Sequence, residues 1–121
     1  NLSRALIGWP AAMIVALIVV GLVAPFKWPF IVAAFVFGIV SFANVPPMQM
    51  RVMKYGGAAP ELAATANISA FNIANALGGL IGGAVVDSNF GAAAIPFAAA
   101  VVPVFGLLFI LTQERKGILA A

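Results

Sequence analysis

The sequence predicts an all-α, polytopic membrane protein with four transmembrane helices. Four long apolar segments fill most of the 121 residues, and nearly all charged residues lie between or beyond them. Hydrophobic residues make up 64% of the chain and charged residues only 7%, whereas a typical soluble domain has about 25% charged residues. So little polar surface cannot cover the chain in water, and we therefore expect one compact membrane domain in a lipid bilayer.

Each apolar segment matches the hydrocarbon thickness of a bilayer. A transmembrane helix needs about 20 apolar residues, whereas the strands of a membrane barrel would alternate over about 10 residues. Pro46 and Pro47 are expected to close the second helix, and Pro60 and Glu61 suit the first turn of the third. The predicted spans are therefore 6–24, 28–47, 60–86 and 92–111.

The distribution of charge predicts the orientation of the helices. An even number of spans puts both ends of the chain on one side, together with five basic residues: Arg4, Arg51, Lys54, Arg115 and Lys116. On the other side Lys27 is the only basic residue of the sequence, and the negative charge of Asp87 offsets it there. Because basic residues favour the cytoplasmic side, both termini and the 48–59 loop are expected there.

Four polar residues near this loop are candidates for a cytoplasmic loop or gate: Gln49, Arg51, Lys54 and Glu61. For Arg51 and Lys54 the alternative is simple orientation and anchoring of the chain. For Glu61 the alternative is stabilisation of the start of the third helix.

The third segment has a small, polar face. Asn72 and Asn75 lie near the bilayer midplane at 1.5 Å per residue, where they would bond either a substrate or a neighbouring helix. Four glycines on or beside this face follow the small-xxx-small spacing that lets two helices approach closely: Gly78, Gly79, Gly82 and Gly83. The resulting interface would be either a sliding one between two bundles or a static helix–helix seam. The opposite face, which includes Ile68 and Phe71, is expected to face lipid.

The second segment has a narrower stripe of similar character. Phe37, Ser41 and Asn44 recur at offsets of three or four residues, so they share one helix face. Phe37 would stack on a ligand, and Ser41 and Asn44 would form hydrogen bonds with it. Packing against a neighbouring helix is the alternative for all three, and Asn44 would also cap the backbone freed by the prolines.

Several functional classes are excluded by composition. The chain has no cysteine and no histidine, which removes thiolate chemistry and the commonest general base and metal ligand. No clustered basic patch points to nucleic acid. No span has a buried acidic or basic side chain, and Glu61 lies only at the cytoplasmic edge of the third. Because such charges usually mark proton pathways, their absence argues against a self-sufficient proton-coupled transporter. We expect no catalytic residue, no metal, no cofactor and no enzyme.

The stretch from Val45 to Gly91 resembles a known family. It contains VPPMQMRVMKY and then APELAATANISAFNIANALGGLIGGAVVD, which is similar to the end of the major facilitator superfamily, in its arabinose-efflux-permease-like drug:proton antiporter group. The resemblance implies helices nine to twelve of a major-facilitator-type bundle. It would place Phe37, Ser41 and Asn44 toward the substrate pathway, Asn72 and Asn75 near it, and the four glycines in the seam between the moving halves.

The resemblance also implies a function and partners. The intact protein would export a sugar, drug or metabolite by proton antiport and alternating access in a bacterial inner membrane. The chain starts at Asn1 directly before a span, and we expect it to be a piece that works with the remaining helices of the same transporter. The alternatives are a complete four-helix multidrug transporter acting as a dimer, which would need an embedded glutamate in its first helix, and a non-transporting scaffold subunit.

Overall fold

The computed structural model describes residues 2–115, apart from the side chains of residues 2, 3 and 114. Lys116, which the charge argument uses, lies outside this range. The elements are α1 (Leu2–Val23), α2 (Lys27–Tyr55), α3 (Pro60–Val86), a short 3-10 turn (Ala92–Ala94) and α4 (Ile95–Arg115). All four α-helices are long and apolar enough to cross a membrane, which confirms the predicted fold class.

Helix α1 lies at the centre of the packing. It packs against both α2 and α4, whereas α3 packs mainly against α2 and touches α4 less. The buried hydrophobic side chains come from α1 and α4: Leu6, Leu17, Val20, Ala100 and Ile110. Leu6 and Ile110 meet at the cytoplasmic end predicted from charge, where Met48 of α2 also packs against them. The α1–α4 seam therefore provides most of the burial within this chain.

A glycine permits a close approach between α1 and α4. A Cβ atom built on Gly21 would lie 2.5 Å from Cζ of Phe97, well inside van der Waals contact. The phenyl ring of α4 therefore rests directly on the backbone of α1.

Helix α2 continues through Pro46 and Pro47, so the predicted end at residue 47 is wrong. Each proline lacks an N–H, and the carbonyls of Phe42 and Ala43 lose their usual partners four residues ahead. Membrane helices tolerate such losses because neighbouring elements satisfy the freed groups, and Pro47 is buried among its neighbours. One consequence is that the candidate loop residues Gln49, Arg51 and Lys54 lie in the last turns of α2.

A four-residue turn, 56–59, reverses the chain between α2 and α3. The N–H of Gly56 donates to the carbonyl of Met53, and the N–H of Ala59 donates to that of Gly56. Gly57 has a φ of 56°, a left-handed conformation that favours glycine. Helix α3 begins at Pro60 as predicted, with Glu61 in its first turn, and the two helices form an antiparallel hairpin.

The middle of α3 is open to its surroundings on every face. Every residue from 68 to 81 is exposed, including large apolar side chains such as Leu80, which is 72% exposed. Helix α3 therefore stands at the edge of the four-helix packing, with most of its surface available to lipid or to further protein.

Candidate functional site

A cavity of about 620 Å³ lies between α2 and α3, and Met13 of α1 contributes to its wall. Its volume is within the range of about 300–1,000 Å³ that is usual for small-molecule sites. Three predicted pathway residues of α2 line it together with one of α3: Phe37, Ser41, Asn44 and Asn75. The structure therefore brings four of the five predicted pathway residues to one site.

Two polar atoms of this cavity's lining residues are unpaired. Oγ of Ser41 and Oδ1 of Asn44 are buried and have no hydrogen-bond partner among the described residues. Because Ser41 lies midway along α2, both atoms are far from either end of the helix. Buried polar groups in folded proteins are nearly always paired, so two unpaired oxygens on neighbouring turns require an explanation.

A direct hydrogen bond crosses the groove between α2 and α3. Nδ2 of Asn67 donates to Oε1 of Gln49 over 2.6 Å, and the pair is partly buried. Gln49 was a candidate gate residue in the sequence. Its partner Asn67 was not, because it lies outside the polar stripe of α3.

A second cavity of about 650 Å³ continues along the same groove toward the 56–59 turn. Arg51 lines it, and Met48, Asn67 and Ala70 line both cavities. The Gln49–Asn67 bond therefore lies where an uncharged cavity meets one with a basic residue. Lys54 and Glu61, the other gate candidates, do not line either cavity; Nζ of Lys54 lies 5.8 Å from the centre of the Tyr55 ring.

The remaining predicted residues of α3 line neither cavity. Asn72 is exposed and lines neither cavity. A Cβ atom added to any of the four seam glycines would meet nothing within 4 Å among the described residues: Gly78, Gly79, Gly82 and Gly83. The predicted seam therefore stays a prediction, and any helix that fills it lies outside the four described here.

Two residues expected to face lipid lie in the cavity wall instead. Ile68 and Phe71 line the groove opposite α2, because α2 packs against the larger side chains of α3 and not against its glycines. Helical periodicity separates a large apolar face from a small polar one, but it does not distinguish lipid from a neighbouring helix as the partner of the first.

Comparison with known proteins adds a family context. The chain is 38% identical over 118 residues to the inner membrane transport protein YdhP of Escherichia coli O157:H7, and 37% identical to YdhP of strain K12. It is 36% identical over 88 residues to the uncharacterized MFS-type transporter YfhI of Bacillus subtilis strain 168. No family model and no solved structure matches the chain.

These relatives are much longer than this chain. The YdhP matches cover 94% of the chain but 30% of each relative, and the YfhI match covers 73% of the chain and 22% of that protein. The chain therefore corresponds to one part of such a transport protein.

Proposed function

Since this chain belongs to the major facilitator superfamily, we propose that it forms part of a secondary-active transporter that exports small molecules by proton antiport. The cavity between α2 and α3 carries the proposal, because it is of ligand size and collects Phe37, Ser41, Asn44 and Asn75. A role in transport agrees with the names of the relatives. Export and proton coupling are additional parts of the proposal.

In the proposed mechanism, α1 to α4 are helices nine to twelve of a twelve-helix transporter. Two bundles rock about a site near the bilayer midplane, so that the site opens to each side of the membrane in turn. Helix α2 contributes its polar face to that site. The exposed glycine face of α3 packs along the second bundle, and α1 and α4 support the site from outside.

Proton coupling needs a titratable group that this cavity does not provide. None of the residues that line it is charged. We therefore place the coupling carboxylate in the part of the transporter beyond these four helices, which would share the central cavity with Ser41 and Asn44. Transport changes no covalent bond of the substrate, so the proposal includes no catalytic residue, metal or cofactor.

The proposed membrane is the bacterial inner membrane, with both ends of the segment in the cytoplasm. The basic residues Arg4, Arg51 and Arg115 support this orientation, because positive charge is retained on the cytoplasmic side. The groove cavity that contains Arg51 would then open toward the cytoplasm, where export begins.

Proton release from everted membrane vesicles tests the proposal. Vesicles with the full-length transporter are acidified by respiration, and a pH-sensitive dye reports protons leaving when neutral aryl glycosides, nucleosides or lipophilic cations are added. We expect at least one compound to release protons only from vesicles that contain the transporter. Identical dye signals in vesicles without the gene, for every compound, would contradict proton antiport.

A further inference from the structure

We propose that the cavity around Arg51, between the last turns of α2 and the first turns of α3, binds the carboxylate of a small amphipathic anion. Its volume is about 650 Å³, which is usual for a small-molecule site. Binding there requires the packing of α2 against α3 but neither export nor proton coupling, so the inference goes beyond the proposed function.

Arg51 gives this cavity a positive charge that no described acidic residue offsets. Its side chain is partly buried, and among the described residues it is the only charged one in the cavity wall. Glu61 is exposed in the first turn of α3 and does not line the cavity, and Asp87 lies at the opposite end of that helix. Because a charge removed from water without a partner is unfavourable, the cavity favours an anion as its occupant.

Asn67 supplies a second hydrogen-bond donor to the same cavity. An asparagine amide nitrogen has two hydrogens, and the bond to Gln49 uses one of them. Arg51 follows Gln49 by two residues, so its backbone lies about 3 Å nearer to the 56–59 turn at 1.5 Å per residue. The guanidinium can therefore donate to both oxygens of a carboxylate while the second N–H of Asn67 donates to the same group.

The charge and the walls of the cavity define the rest of the ligand. A carboxylate carries one negative charge, which one guanidinium neutralises, whereas a phosphate monoester carries about 1.5 to 2 negative charges. Val52, Tyr55 and Ala63 also line the cavity, and aliphatic and aromatic side chains of this kind suit an alkyl or aryl body. The cavity therefore fits an amphipathic monocarboxylate.

A membrane phospholipid can also present a single negative charge, but the groove favours a shorter molecule. The Gln49–Asn67 bond spans the groove where the Arg51 cavity meets the uncharged one. An acyl chain that followed the groove toward the middle of the membrane would have to cross this bond. A small ligand fits within the Arg51 cavity and leaves the bond intact.

Equilibrium binding to the full-length transporter in phosphatidylcholine nanodiscs tests the inference. The probes are phenylacetate, cinnamate and octanoate, each paired with its primary amide, and empty nanodiscs correct for partition into the bilayer. We expect at least one carboxylate to bind about tenfold more tightly than its amide, because hydrogen bonds to charged groups are the stronger ones. The preference should shrink as sodium chloride is added, since salt screens charges that water reaches.

Three substitutions locate the binding site. Arg51→Gln should reduce binding of the carboxylate to that of its amide, and Arg4→Gln, which removes an exposed arginine that lines neither cavity, should bind as the parent does. Ala66→Leu places a larger side chain on the cavity wall at an exposed position of α3, where leucine is a good helix former. It should weaken both members of a pair without lowering the unfolding temperature, so the test remains decisive if Arg51→Gln does not fold.

Three results would overturn the inference. The first is equal binding of every carboxylate and its amide, which would mean that a group outside these four helices neutralises Arg51. The second is unchanged carboxylate binding by Arg51→Gln or Ala66→Leu, or an equal loss in Arg4→Gln. The third is loss of carboxylate binding when the nanodiscs contain phosphatidylglycerol, with native mass spectrometry showing that the parent retains this lipid and Arg51→Gln does not, since the cavity would then hold a lipid headgroup.

Proton release from vesicles is independent of these results. Carboxylate binding without proton release would reject the proposed antiport alone. Proton release without carboxylate binding would reject the Arg51 site alone.

Discussion

Asn67 of α3 donates a hydrogen bond of 2.6 Å to Gln49 of α2 at the junction of the two groove cavities. Met48 and Ala70 border both cavities at the same level. The bond therefore spans the two walls of the groove between the uncharged cavity and the one that contains Arg51. In the proposed transporter it would fix the spacing of α2 and α3 next to the substrate site.

Removal of this bond should destabilise the hairpin of α2 and α3 by a modest amount. Hydrogen bonds between membrane helices contribute about 0.6 kcal/mol on average and at most about 1.7 kcal/mol. A double-mutant cycle of Gln49→Leu and Asn67→Leu, measured by unfolding of the full-length protein in detergent, should give a coupling energy in this range. A coupling indistinguishable from zero would show that the two amides do not interact.

A larger side chain at Gly21 should disrupt the α1–α4 seam. A Cβ atom there meets the ring of Phe97 at 2.5 Å, and overpacking of this kind costs about 1–3 kcal/mol. Thermal unfolding of Gly21→Val should occur at a lower temperature than that of the matched Gly8→Val, where a Cβ atom meets nothing within 4 Å. Adding Phe97→Ala to Gly21→Val should remove most of the difference, and failure to do so would contradict the contact.

A large side chain on the glycine face of α3 should block transport without disturbing these four helices. A Cβ atom added to Gly79 meets nothing within 4 Å among the described residues, so the clash that we expect from Gly79→Leu is with a helix of the proposed second bundle. Export should be lost while expression and unfolding temperature stay near those of the parent. The control is Gly106→Leu on α4, which also has open space and should export normally; equal export by both variants would remove the proposed seam.

The two amides at the middle of α3 should contribute unequally to binding. Both side chains are exposed, but only Asn75 lines the cavity. Asn75→Ala should therefore weaken binding of any probe that stabilises the transporter more than Asn72→Ala does. The opposite order in titrations of the two variants would place Asn72 in the substrate pathway and Asn75 outside it.

Much of this architecture can be predicted from local sequence. Apolar length predicts four helices. Pro60 marks the start of α3 because proline suits the first turn, and the polar residues from Asp87 onward mark its end because the apolar pattern stops there. Pro46 and Pro47 mislead, since the same loss of N–H groups that ends a soluble helix is tolerated within membrane packing. The offsets of Phe37, Ser41 and Asn44 predict a shared face because a helix has a fixed period.

Periodicity does not predict what packs against a helix face. Ile68 and Phe71 face the groove, and an apolar helix surface has the same pattern against lipid and against protein. The Asn67–Gln49 bond could have been predicted from the sequence, because the two amides lie at nearly equal distances on either side of the 56–59 turn. Antiparallel pairing about that turn brings them to the same height, which a reading of each helix alone does not reveal.

Accessibility of one position from both sides of the membrane tests the central claim of alternating access most directly. The chain has no cysteine, so Asn75→Cys in a cysteine-free full-length transporter provides a single thiol in the cavity, and Ala100→Cys provides a buried control. A membrane-impermeant maleimide is added to right-side-out and to everted vesicles. Alternating access predicts labelling at position 75 from both sides and at position 100 from neither. Labelling at position 75 from one side only, in every condition, would contradict it.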